Sequence, residues 1–362
     1  MKVAIIGAGG VGSAAARFIA KAGHETHVYE QFRVGHDKGS SHGTSRIIRK
    51  SYPDPYYTAL MNETYPLWFE LEREAKETLH VQTGILVFGK PSSEWLIRTK
   101  ESLRTNEVPF EELSAKEVAI RFGGFHLGDE EVAIFQPEAG VLKADKIIET
   151  NLRLAQGYGA KIFEEMEAEI SPDGNVLMRK GKESYDAIAI CAGAWIKKFA
   201  PLDVEVRLQH FVYFDAPLAK QIPVWVEASP DHFYGFPDYG RGFKIGLHRY
   251  GPVFDPSSPE RTIDLQTLSE IAECARFRLG AGAISTPNVV QKDAYTCLYT
   301  VAPNEDFQIG RLPYRVPTHF VSACSGHGFK FTIWFGKLLL DFIEGKQKPE
   351  EFPRFFVPFE GV

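Results

Sequence analysis

Apolar residues are spaced along this chain in two rhythms, and their order predicts the architecture. The opening VAIIG, from residue 3, is a short continuous apolar run of strand type. GAGGVG follows, then SAAARFIAKAG with helical spacing, then a second strand, THVYE. The same order returns twice. YDAIAICAGAW (185–195) is an apolar strand running into small residues, and HFVSACSGHGFKFTIWFGKLLLDF (319–342) reads as strand, glycine turn and long helix. Between these pieces lie the strand QTGILVFGK (82–90), the helical SAKEVAIRF, and the hairpin FYGFPDYGRGFKIGLH (233–248) with its turn near Gly240–Gly242. The interleaving predicts an α/β protein in which a Rossmann-like dinucleotide domain (1–80, 140–215 and 290–362) carries an inserted mixed β-sheet (α+β) substrate domain (81–139 and 216–289).

The first turn gives the dinucleotide reading its chemistry. Gly7, Gly9 and Gly12 occupy the G-x-G-x-x-G positions. The first permits a tight turn, the second lets backbone approach a pyrophosphate, and the third lets helix and strand pack closely. The helix then presents free N–H groups and positive dipole charge to the phosphates. Glu30 ends the second strand, where an acid is expected to hold a ribose hydroxyl.

Composition narrows the partners. In 362 residues, 44% are apolar and 24% charged, as in ordinary globular proteins. The net charge of -6, with no basic run, argues against nucleic acid. Cys191, Cys274, Cys297 and Cys324 form no CxxC pair, so no metal site is expected, and such sparse cysteines suit a reducing compartment. Lys337 and Asp341 interrupt the most apolar stretch, FTIWFGKLLLDFIEG, so no membrane span is expected. The apolar N-terminal stretch could pass for a signal peptide, but its glycine spacing fits the nucleotide fold better, and the protein is read as cytoplasmic.

Three further segments hold candidate chemistry. GSSHGTSRIIRKSY (39–52) carries His42 and leads to Arg46 and Arg49; if helical, this spacing puts both guanidinium groups on one face, as in an anion site. FKIGLHRY alternates, so Lys244, Gly246 and His248 share one face and Phe243, Ile245 and Leu247 the other. Gly246 there leaves room for a flat ring to approach. Lys244 is open to two readings on the strand alone: a functional cation, or an edge lysine that blocks strand pairing. Cys297, in YTCLYT, is equally open, either as an inert buried thiol or as a covalent anchor.

Taken together, GAGGVG with Glu30, GSSHGTSRIIR, QTGILVFG, the 233–248 hairpin, TCLYT and SGHGFKF resemble the flavin-dependent amine oxidases of the D-amino-acid oxidase superfamily, in particular the monomeric sarcosine oxidase and N-methyltryptophan oxidase group. The resemblance runs nearly end to end. It implies an FAD-dependent oxidase of secondary (N-methyl) amino acids, with FAD tethered to Cys297 by a thioether. Substrate would be oxidised to an imine and O2 reduced to H2O2. Lys244 would activate oxygen, with Arg46 against the flavin and His248 beside the reaction. Gly326, His327, Gly328 and Lys330 would join His42 around the cofactor. Arg49 and Lys330 would bind the substrate carboxylate, with Tyr234, His248 and Tyr299 as pocket walls. A monomer acting on a small amino acid and O2 is expected.

One departure concerns substrate size. Trp225, in PVWVEASP, stands where sarcosine oxidases tend to have a slimmer side chain, so its indole either narrows the pocket or packs in a core. Other readings of the chain are an oxidase of another amino acid or of a cyclic imino acid, a nicotinamide-dependent dehydrogenase, which would need neither Cys297 nor Lys244, and a flavin-binding protein without catalysis.

Overall fold

The computed structural model describes residues 1–123, 125–179, 181–215, 222–229, 232–238, 241–279, 294–322 and 325–359. Gly240, at the start of the turn expected near Gly240–Gly242, and Cys324 lie outside them.

Two sheets dominate. The first has six strands in the order Gln308–Leu312, Thr318–Ser322, Ala187–Ile190, Lys2–Ile6, Glu25–Tyr29 and Lys161–Phe163. All neighbours are parallel except the antiparallel edge strand Gln308–Leu312. Its two central strands, Lys2–Ile6 and Ala187–Ile190, are nearly continuous apolar runs because both faces are covered. Val3 and Ile5 face the helix side, where Gly10–Lys21 and Thr332–Ile343 pack, while Ala4 and Ile6 face a second cluster with Ile188 and Phe320. A side chain at Gly336 would come within 2.7 Å of the Ala14 backbone, so this glycine permits the close crossing of those two helices.

The second sheet has eight strands: Ala294–Val301, Glu205–Phe214, Phe243–Leu247, Phe233–Phe236, Val224–Glu227, Ile85–Gly89, Val132–Gln136 and Glu111–Ser114. It is mixed, since Val224–Glu227 runs parallel to Ile85–Gly89 and the remaining pairs are antiparallel. Strands Glu205–Phe214 and Ala294–Val301 pair here, although the sequence division gives them to the cofactor-binding segments. Helix Leu265–Leu279 covers one face, burying Phe243, Ile245 and Leu247. The other face carries Tyr234, Phe236 and Lys244, which look into a cavity. The predicted alternation of the lysine strand is therefore present.

Two local expectations change. The Arg46–Arg49 segment is extended, not helical: Arg46–Ile48 is a strand, paired antiparallel with Gly140–Leu142. Two β-branched isoleucines and a partner strand outweigh any helical tendency there. Trp225 is fully buried against Phe88, Phe125 and Phe243 on the helix-covered face, so it does not narrow the pocket. Pleating is the reason, since Val226, the next residue, faces the cavity.

Candidate active site

The glycine turn stands at one end of the cavity. Strand Lys2–Ile6 ends at Gly7, whose φ is +100°, and a Cβ there would lie 2.5 Å from the Cys191 carbonyl oxygen. A Cβ on Gly12 would fall 1.8 Å from the Gly7 oxygen, so neither position tolerates a side chain. Helix Gly10–Lys21 starts without a hydrogen-bonding cap from the side chain before it, and the Ser41 hydroxyl accepts from Gly10 N at 3.2 Å. Glu30 directly follows strand Glu25–Tyr29. Its carboxylate is fixed by Ala8 N at 2.9 Å and Phe32 N at 3.0 Å, which holds it beside the glycine turn.

From this turn a cavity of about 780 Å³ runs between the two sheets. Every candidate site residue named from the sequence lines it except Gly12, which acts by packing helix to strand. Trp225 does not line it.

Midway, Lys244 is 3% exposed, and its Nζ lies 4.3 Å from the centre of the Phe211 ring and 4.8 Å from that of Phe236. Its polar neighbours are the Ser45 carbonyl at 3.4 Å and the Ser45 hydroxyl at 3.5 Å. Burial, reinforced by the Arg46 charge, drives its pKa well below the usual lysine range, against the pull of Cys297 and Asp145. Cys297 is buried in strand Ala294–Val301, opposite Gln209. Burial raises its thiol pKa, while Arg46, Lys244 and Arg261 act to lower it. Arg46 spends its guanidinium on carbonyls of the preceding loop: Ser40, His42 and Ser45, each at 2.7 Å. His42 has a buried Nε2 without a hydrogen-bond partner; burial and the nearby Arg46 and Lys244 charges push it down to about 4.

The far end holds two more cations. Arg49 has a buried Nη1 without a hydrogen-bond partner, and its guanidinium lies 4.9 Å from the Tyr52 ring centre and 5.4 Å from that of Trp95. Lys330 donates to the Tyr52 hydroxyl and to the His327 carbonyl, both at 2.9 Å. Burial and then the Arg49 charge lower the Lys330 pKa well below its usual range. His327 is oriented by Glu305, whose carbonyl lies 3.0 Å from Nε2, and by the Tyr52 hydroxyl 3.3 Å from Nδ1. Burial and neighbouring positive charge push both His327 and His248 down to about 3, so both rings are neutral at physiological pH. Among the described residues none of Lys244, Arg46, Arg49 and Lys330 forms a salt bridge with a carboxylate.

Two glycines shape the walls. A Cβ on Gly326, at φ +77°, would enter the Tyr299 ring at 2.3 Å. The space over Gly246 belongs to Tyr234, whose ring a Cβ there would meet at 2.4 Å, so this glycine admits a tyrosine from the next strand rather than a ligand's ring. Tyr52, Trp95 and His232 also line the cavity and escaped the sequence reading. Tyr52 had a signal, three residues beyond Arg49; Trp95, on helix Glu94–Thr105, had none.

The description "DAO: FAD dependent oxidoreductase" matches residues 2–342. Monomeric sarcosine oxidase of Bacillus sp. (strain NS-129) is 33% identical over 358 residues, covering 93% of this chain and 91% of that protein. N-methyl-L-tryptophan oxidase of Salmonella arizonae is 30% identical, covering 93% of each. Among solved structures, the open form of NikD, an unusual amino acid oxidase of nikkomycin biosynthesis, superposes with a TM-score of 0.84 at 23% identity, over 98% of this chain and 96% of that one. L-proline dehydrogenase from P. horikoshii gives a TM-score of 0.84 at 20% identity over 99% of each. At these identities the two structures establish a shared fold. The family match decides between nicotinamide and flavin in favour of FAD.

Proposed function

The chain belongs to the DAO family of FAD-dependent oxidoreductases, and we propose that it oxidises small secondary amino acids, sarcosine-like or proline-like, to imines while reducing O2 to H2O2. One observation carries this reading: four cations without carboxylate partners among the described residues converge on one cavity with the Cys297 thiol. A basic, largely apolar chamber of this kind suits an anionic substrate and a reaction in which negative charge develops.

The cavity suits FAD. The Gly7–Gly9 turn and the bare helix start would hold the pyrophosphate, and Glu30 a ribose hydroxyl. His42, Arg46 and the Gly326–Lys330 turn would border the ring system, with Cys297 as a thioether tether. When bound, FAD supplies the two-electron acceptor and hands the pair on to O2. Arg49 and Lys330 then hold the substrate carboxylate, the buried and unpartnered Nη1 of Arg49 supplying a charge-assisted donor. Tyr234, His248 and Tyr299 form the walls. Neutral His248 and the two cations offer an ammonium group no counter-charge, so the amine enters uncharged. Lys244 stabilises negative charge arriving on oxygen. The same reading takes the protein as a cytoplasmic monomer, and the name of the Bacillus relative, monomeric sarcosine oxidase, supports the second half of it.

The test is a peroxide-coupled assay across N-methyl, cyclic and primary amino acids, run beside acid precipitation of the protein. Peroxide with N-methyl or cyclic acids is expected, together with a pellet that stays yellow in the wild type and loses its flavin in Cys297→Ala. Absence of peroxide with all three classes would overturn the oxidase reading. Flavin washing out of the wild-type pellet would overturn the tether.

A further inference from the structure

Beside Arg49 the cavity lining includes Trp95, Val226 and His232, none of them a site residue named from the sequence. Trp95 is the centre of this wall. The indole lines the cavity, half-buried, 5.7 Å from the His232 ring and 5.4 Å from the Arg49 guanidinium. It packs on the apolar cluster that contains Val226 and borders Tyr234, both of which line the same cavity. His232 lies 5.9 Å from His248, so the wall joins the pocket lining without a break.

The position of the indole is fixed from below. Ser93 caps helix Glu94–Thr105, accepting from Leu96 N, and its hydroxyl donates to the Ala228 carbonyl at 3.0 Å. That bond ties the first helical turn to the end of strand Val224–Glu227. With its backbone held there, the indole is further confined by the apolar cluster, the His232 ring and the Arg49 guanidinium.

We propose that Trp95, with Val226 and His232, forms the apolar subsite for the carbon substituent of the substrate, and that the indole sets the upper limit on its size. This rests on the reading that Arg49 anchors a carboxylate. Once the carboxylate is held at Arg49, a ring close to that guanidinium bounds the space beside the α-carbon. Substrates are then amino acids whose nitrogen and α-carbon carry a hydrogen, a methyl group or one small ring, and fused aromatic substituents are rejected.

The experiment uses holoenzyme and two carboxylic acids that differ only in bulk, pyrrole-2-carboxylate and indole-2-carboxylate, with dissociation constants read from the change in flavin absorbance. In the wild type the larger acid is expected to bind more weakly by roughly ten- to two-hundredfold, the range a tight apolar pocket can impose. Trp95→Ala should narrow that gap at least tenfold while leaving the small acid within a few-fold. Trp95→Phe, which keeps an aromatic ring on the cluster, should fall between and guards against a misfolded alanine variant. Equal binding of both acids by the wild type, or equal weakening of both by the variants, would overturn the size-limiting role. If neither acid binds the wild type, the carboxylate anchor itself is wrong, and the subsite falls with it.

Discussion

Lys330 donates to the hydroxyl of Tyr52 at 2.9 Å, and the same tyrosine ring lies 4.9 Å from the Arg49 guanidinium. One side chain therefore contacts both cations proposed to bind the substrate carboxylate. Tyr52→Phe keeps the ring and removes only the hydroxyl. A hydrogen bond to a charged group is worth about 1.5–3 kcal/mol, so affinity for an acidic substrate should fall roughly tenfold or more. An uncharged amide of the same substrate should be nearly unaffected, and KM should move more than kcat. Matching losses for acid and amide would assign Tyr52 to the fold alone.

Lys244→Met should separate the two halves of the catalytic cycle. Methionine fills the space among Phe211 and Phe236 but brings no charge. Reoxidation of the reduced enzyme by O2 should slow by orders of magnitude, with substrate-driven reduction far less affected. Stopped-flow traces with unchanged reoxidation would remove the lysine from the oxygen reaction.

Trp225→Ala distinguishes the buried tryptophan from the one in the cavity wall. Its indole is enclosed by Phe88, Phe125 and Phe243, so truncation should cost about 3–5 kcal/mol of stability. Selectivity between small and bulky substrates should stay as in the wild type. A shift in that ratio without loss of stability would contradict the observed packing.

His319 supplies a pH dependence remote from the cavity lining. It is 4% exposed, 5.3 Å from the Phe342 ring, and burial followed by the Arg311 charge pushes it down to about 4. The unfolded chain takes up its proton near about 6.5. Its contribution to stability is therefore complete above that value and is lost as pH falls from there toward 4, at up to about 1.4 kcal/mol per pH unit. His319→Phe should flatten the decline of Tm across that window, whatever it does to Tm at neutral pH. An unchanged slope in thermal melts would mean that His319 does not titrate on unfolding.

The glycine turn with Glu30 was the most legible part of the chain, because its pattern is written in nearby residues. Gly7, Gly9, Gly12 and Glu30 follow one another within a single βαβ unit, and each has a local reason. The alternation around Lys244 was also legible, because a pleated strand assigns its faces by parity alone. Three-dimensional approach was not. Gly246 signalled a close contact, but only the pairing of neighbouring strands shows that the contact is Tyr234. The Arg46–Arg49 spacing suits a helix until a partner strand, nearly a hundred residues away in sequence, claims the segment. Trp225 drew notice as a departure from the resembled family, yet which face it occupies depends on what covers the sheet, and that information is spread over distant segments.

The six-stranded sheet also governs how the protein can be made. Strand Lys2–Ile6 emerges first, yet its neighbour Ala187–Ile190 and the next strand, Thr318–Ser322, are synthesised much later. Cys297 and the Gly326–Lys330 turn come late as well. A nascent chain halted before them has its glycine loop but neither the wall nor the thiol that complete the chamber. Contacts this far apart in sequence form slowly, so the chamber closes only after the C-terminal segments have joined the first strand.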